Sequence, residues 1–285
     1  MTSKSKVPTR NPKCSCLSIL LCGLVFGAGG CAHNTSSGST GGGGSSGGPT
    51  ISITGNWQFV ATPTSGATPF SNLAGFLNES GDSPTASNFL TAALQAQSTT
   101  CYADSANVSL DGGVYGSHVG LTSFSNADQI LTVSATMNAA GTGIAGTYSI
   151  TGGCADGEQG SLAGTLYSPL MGSYGGAVMG NNLSQSIQLS LSQSAEGDGV
   201  GDSSVTGSAT FQGFPCFSKG TINVPNGYVL GSSANFTVST NEAGGSQVVM
   251  TGTTNPSGDT LVLSSINVVG GNCSGSVGEA TLQQK

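Results

Sequence analysis

The chain predicts an all-β protein of two tandem antiparallel meander domains. Three observations carry that expectation: apolar residues alternate with Ser and Thr at period two, turn-forming clusters recur between the runs, and the second half repeats the first. Leu131, Val133, Ala135 and Met137 alternate with Thr132, Ser134 and Thr136, and Ile187, Leu189 and Leu191 alternate with Gln188 and Ser190. Tyr148 and Ile150 share one face of their run, as do Val205, Ala209 and Phe211. Successive side chains of a strand point to opposite faces, so these runs are strands with one buried and one wet face, the pattern of antiparallel sheet. Turn signals stand at Asp111-Gly112-Gly113, Asn138 to Gly143, Asn226-Gly227, Asn241 to Gly245 and Asn255 to Asp259, and they join the strands as hairpins. About seven or eight runs per half suffice for a closed up-and-down barrel or a two-sheet sandwich, and periodicity leaves both open.

The duplication is read from four cysteines. Gly55-Asn56-Trp57 stands 46 residues before Cys101, and Gly172-Ser173-Tyr174 stands 44 before Cys216. Cys101 to Cys154 is 53 residues and Cys216 to Cys273 is 57, an offset of 115 to 119 between the halves. Gly160-Ser161-Leu162-Ala163-Gly164-Thr165-Leu166 then matches Gly275 to Leu282 with one insertion. Four cysteines allow three pairings, and a duplication selects the one that keeps each pair within its half: Cys101 with Cys154, Cys216 with Cys273. The domains expected are 51–166 and 167–285. Ser83 to Gln97 reads as a short helix when taken alone, with Phe89, Leu90, Ala93 and Leu94 at helical spacing. Its repeat partner, Ser203 to Gly213, alternates like a strand, so Phe89 to Ala96 is expected to be a strand.

The first fifty residues are of another kind. Met1 to Lys13 is basic and free of acids, and Leu17 to Ala28 is apolar but only about twelve residues long, where a spanning helix needs roughly 20. Small residues, Gly27 to Gly30, precede Cys31, and Ala32 to Pro49 is almost entirely Ser, Thr and Gly. That order reads as a signal peptide over 1–30 and a flexible tether over 31–50. It resembles the signal of bacterial lipoproteins, and the resemblance implies that Cys31 becomes a lipid-modified N-terminus held in the membrane. The position three before Cys31 is Ala28, where the lipoprotein pattern usually has Leu. Ala32 and His33 follow without an Asp, which that resemblance associates with the outer membrane. The whole arrangement looks like the uncharacterised Gly/Ser/Thr-rich β lipoproteins, a likeness that implies no activity. Gly55-Asn56-Trp57 resembles the G-x-W element opening the first strand of lipocalin-like and avidin-like barrels, which implies barrels able to carry a small apolar ligand. The second half departs from it with Tyr174.

Composition narrows function further. Four of the six basic residues lie before Cys31, leaving Lys219 and Lys285 against thirteen acids, a balance near −11. Such a surface excludes nucleic acid as a partner. An exported chain favours disulfides over zinc, and no Cys-x-x-Cys spacing occurs among the four paired cysteines. His33 falls in the tether, so a catalytic triad would rest on His118 alone, which is read as a surface residue. The acids cluster as Glu79 with Asp82, Asp156 with Glu158, and Glu196 with Asp198 and Asp202. Acids alternating with Gly in the last group make a weak calcium candidate, because Gly lets side-chain oxygens converge on a hard cation; the spacing is not that of an EF-hand, and a solvated hairpin tip is the preferred reading. No catalytic residue, cofactor or metal is assigned. The expectation is a cell-envelope protein anchored by lipid, not an enzyme, with a binding or structural role and a protein, glycan or small-molecule partner left open. A small-ligand carrier is the alternative and a secreted hydrolase the third reading.

Overall fold

The computed structural model describes residues 52–64, 70–81, 88–99, 101, 107–124, 128–180, 184–198 and 201–285. Cys31, the leader and the tether lie outside the described residues, as does Asp82. The first domain comprises β1 (Gly55–Pro63), β2 (Phe70–Ser80), β3 (Asn88–Thr99), β4 (Asn107–Tyr115), β5 (His118–Ser123), β6 (Ile130–Met137), β7 (Gly143–Thr151) and β8 (Gln159–Tyr167). Each pairs antiparallel with its sequence neighbour, and β8 returns to β1, closing an eight-stranded up-and-down barrel. Closure removes both sheet edges and with them the unpaired backbone groups an edge exposes.

The second domain comprises β9 (Met171–Met179), β10 (Ser186–Gly197), β11 (Ser203–Gln212), β12 (Lys219–Ile222), β13 (Gly227–Leu230), β14 (Ser233–Thr240), β15 (Gln247–Thr254), β16 (Thr260–Val269) and β17 (Gly275–Gln284). Here too the last strand pairs with the first, β17 with β9, and the order around the ring is the same. The difference lies in the fourth stave. β12 and β13 both bridge β11 and β14, one at each end, and together replace the single β4 of the first barrel. The interruption is the turn from Asn223 to Asn226, whose Asn226 N–H donates to the Asn223 carbonyl at 2.6 Å. Two tandem barrels therefore form, and Phe89 to Ala96 lies within β3, a strand as its repeat partner β11 requires.

Alternation places the cores. In β6 every second residue from Leu131 to Met137 is buried and the intervening ones are exposed, and the two barrels enclose separate apolar clusters. This polarity is the reverse of a membrane-spanning barrel, whose outward band is apolar. Trp57 and Tyr174 are both fully buried, each in the first strand of its barrel. The Trp57 indole N–H donates to the Ile53 carbonyl at 2.7 Å, and the Tyr174 hydroxyl donates to the Gly258 carbonyl at 2.6 Å. The two aromatics thus fill equivalent places, Trp57 satisfying its polar atom within its own segment and Tyr174 on a turn 84 residues further along the chain. One turn expectation is corrected: Asp111-Gly112-Gly113 lies inside β4. A Cβ on Gly112 would stand 1.8 Å from the Gly120 carbonyl oxygen of β5, so this glycine marks the close approach of two strands and not a reversal.

Cys101 bonds to Cys154 and Cys216 to Cys273, each linking the loop before the fourth stave to the loop before the last strand. The pairs span 53 and 57 residues, and in the chain-entropy account each such loop is worth roughly 4 kcal/mol. Replacing either pair by serines should lower the stability of its barrel by about 2–5 kcal/mol in urea unfolding; an unchanged midpoint would refute the contribution.

Candidate functional site

The barrels belong to one compact unit and meet at a seam of polar contacts. On the first barrel it uses the outward side of β1, β2 and β3. Ala74 and Phe76 belong to neither apolar core, yet both are buried, and so is Leu230 at the end of β13. Asn56 is only 2% exposed; its side-chain Nδ2 donates to the Gly231 carbonyl and its Oδ1 accepts from the Gly231 N–H, both at 2.7 Å. Gln58 Oε1 accepts from the Ser232 N–H at 3.1 Å. A primary amide matches one backbone donor and one backbone acceptor, so Asn56 replaces the water that Gly231 would otherwise lose. Gly231 sits at φ +57°, and a Cβ there would come 2.9 Å from that of Ala74.

The acidic loop between β10 and β11 forms the second part of the seam. Asp202 Oδ1 accepts from Gln95 Nε2 of β3 at 2.8 Å, while the Asp202 N–H donates to Asp198 Oδ1 at 2.9 Å. Gly201, at φ +94°, is buried, and a Cβ on it would lie 2.3 Å from the Ala93 carbonyl oxygen. The loop is a hairpin connection, as expected, but it packs against the first barrel where a solvated tip was anticipated. Burial pushes the Asp202 carboxyl up to about 6, with the Asp198 charge adding to the rise and the Gln95 hydrogen bond opposing it. Tyr228 of β13 is raised as well, first by burial and then by Asp202. Among the described residues no group of three or more His, Cys, Asp or Glu converges on a point that could hold a metal ion. Beside the loop lies a cleft of about 330 Å³ floored by Phe76 and rimmed by Asp111, Glu196 and Asp198.

The remaining sequence-singled acids are tied into local structure. Glu79 accepts from the Ile53 N–H at 3.0 Å and from Asn88 Nδ2 at 2.7 Å. Asp156 accepts from the Gly152 N–H at 2.7 Å, bracing the turn that carries Cys154. Glu158 accepts from the Tyr148 hydroxyl at 3.3 Å, and Tyr148 is pushed up to about 12, chiefly by burial and then by that carboxylate. His118 stands exposed at the start of β5, paired across strands with Tyr115 and Thr136. Comparison with protein-family models, with curated proteins and with solved structures finds no match.

Two outcomes test the seam. Asn56→Ala strands the buried N–H and carbonyl of Gly231, which should cost about 2–4 kcal/mol in urea unfolding; a wild-type midpoint would show that the clamp contributes nothing. For Asp202 the folded group sits above its ordinary value of 3.8, at about 6, so it favours folding when protonated. That contribution is fully present below 3.8 and is lost as pH rises through about 6. Asp202→Asn keeps an acceptor for Gln95, so it should melt above wild type at neutral pH and lose that advantage below about pH 4. Parallel melting curves across the range would refute the burial of this charge.

Proposed function

We propose that this is a cell-envelope protein held at the outer membrane by a lipid on Cys31, with a non-catalytic role, structural or binding, performed by the outsides of its barrels. The observation that supports this best is the filled interior of the first barrel. The space among Phe59, Leu73, Leu94, Leu110, Leu121, Val133 and Leu162 amounts to about 10 Å³. A small-molecule pocket needs roughly 300 Å³ or more, far more than the space these seven described residues of the G-x-W barrel leave between them. Of the acids that a hydrolase could use, Glu79, Asp156 and Glu158 are tied into local structure, and Asp198 and Asp202 hold the loop at the seam. Two disulfides suit an oxidising compartment outside the cytoplasm.

Metabolic labelling with a radioactive fatty acid tests the anchor. Wild-type protein should take up the label and Cys31→Ser should not, partitioning into the soluble fraction instead; label retained in the variant would remove the anchor. Native mass spectrometry of the purified protein should show the mass of the lipid-modified chain with no further adduct, and a co-purifying small molecule would restore the carrier reading.

A further inference from the structure

We infer that the outer face of β6, β7 and β8 is a binding groove for a neutral glycan chain. The inference takes up the non-catalytic binding reading and names its ligand class, and it does not depend on the anchor. The register of the three strands sets out the site. Thr132 pairs with Ser149 and Ser149 with Gln159, forming one row; Ser134 pairs with Thr147 and Thr147 with Ser161, forming a second. Neighbouring side chains within a row stand about 4.8 Å apart, and the rows, two residues apart along each strand, are separated by about 6.6 Å. All six side chains are exposed, and together they line a groove of about 520 Å³. Among the described residues none of the six spends its side-chain hydroxyl or amide on a hydrogen bond within the protein.

The chemistry of that grid selects the ligand. A hydroxyl both donates and accepts, so five hydroxyls and an amide at fixed spacing match a partner whose groups also do both. No charged side chain is found among the described residues that line the groove. An anion or a cation would find no counter-charge there. An apolar partner would strip water from six polar side chains and return no hydrogen bonds. A peptide adding itself as a strand needs a free sheet edge, and the closed barrel has none. A neutral polyhydroxylated chain remains. Tyr148 is the aromatic among these lining residues and its ring is buried, so recognition rests on hydrogen bonds without a stacking platform, and affinity should be weak, on the order of millimolar.

The test is a titration of the exported, isotope-labelled protein with cellohexaose and with maltohexaose, followed by amide chemical shifts. Saturable shifts confined to β6, β7, β8 and their loops are expected with at least one of the two at about 10 mM. The double variant Thr132→Val and Thr147→Val keeps residue shape and strand preference while removing two hydroxyls; it should melt with the wild type and bind about tenfold more weakly. Ser149→Ala with Ser161→Ala provides the same test should the valines perturb the fold. Absence of shifts with both sugars, shifts on another face, or undiminished binding by both double variants would overturn the groove assignment. Cleavage products in the tubes, with the same residues shifted, would sink the non-catalytic reading while upholding the groove.

Discussion

Ring closure is the constraint on which the rest depends. An open meander of eight strands would expose two edges and leave its apolar face half covered; pairing the last strand with the first turns that face into an enclosed core. The segments most alike in the two halves, Gly160 to Leu166 and Gly275 to Leu282, are these closing strands. Within β8 the join is shaped by Gly164, where a Cβ would stand 2.5 Å from the Phe59 ring of β1. The ring can occupy that space only because the closing strand has no side chain there. With the circle complete, each disulfide ties two loops of one barrel, and the duplicated spacing of the cysteines follows from the duplicated ring.

A filled ring also dictates where function can reside. Large inward residues such as Phe59 and Leu73 leave only about 10 Å³ among the central side chains of the first barrel, so under the binding reading proposed above its contacts fall on the outside. Part of that outside is consumed by the seam. The rest presents the alternate residues of each strand, which in β6 to β8 are mainly Ser and Thr, and the pleat that hides Leu131 and Val133 is the same pleat that displays Thr132 and Ser134. The hydroxyl grid is therefore the outer half of the pattern that builds the core.

Much of the fold was legible because period two, turn chemistry and the repeat agree with one another. The strand at Phe89 to Ala96 is the instructive case: local spacing favoured a helix, and only the repeat partner gave the right answer. Barrel and sandwich remained indistinguishable because closure is a single long-range pairing, β1 with β8, that leaves no mark on local alternation. Asp111-Gly112-Gly113 misled for a related reason, since a glycine that admits a neighbouring backbone looks the same in sequence as a glycine that turns the chain. The seam was illegible for want of any local signature. Asn56 lies 175 residues from Gly231 and Gln95 lies 107 from Asp202, and nothing at either end of such a pair announces the other.

Composition explains why the seam is built as it is. Beyond Lys13 the chain has only two cations, Lys219 and Lys285, so its barrels cannot be fastened by a network of ion pairs, and a carboxylate brought to an interface has few counter-charges to meet. Asp202 demonstrates the cost, its proton held more tightly by burial and by Asp198. Neutral amides avoid that cost: the Asn56 clamp satisfies a buried donor and acceptor at once with no charge to desolvate. Gly201 then lets its backbone approach the Ala93 carbonyl, Gly231 lets its backbone approach the Ala74 and Gln58 side chains, and the short distances make the side-chain amide hydrogen bonds possible. An acidic protein with almost no basic residues is thus driven toward joints made of amides and glycine, and the same poverty of charge leaves hydroxyls as the main chemistry on its outer faces.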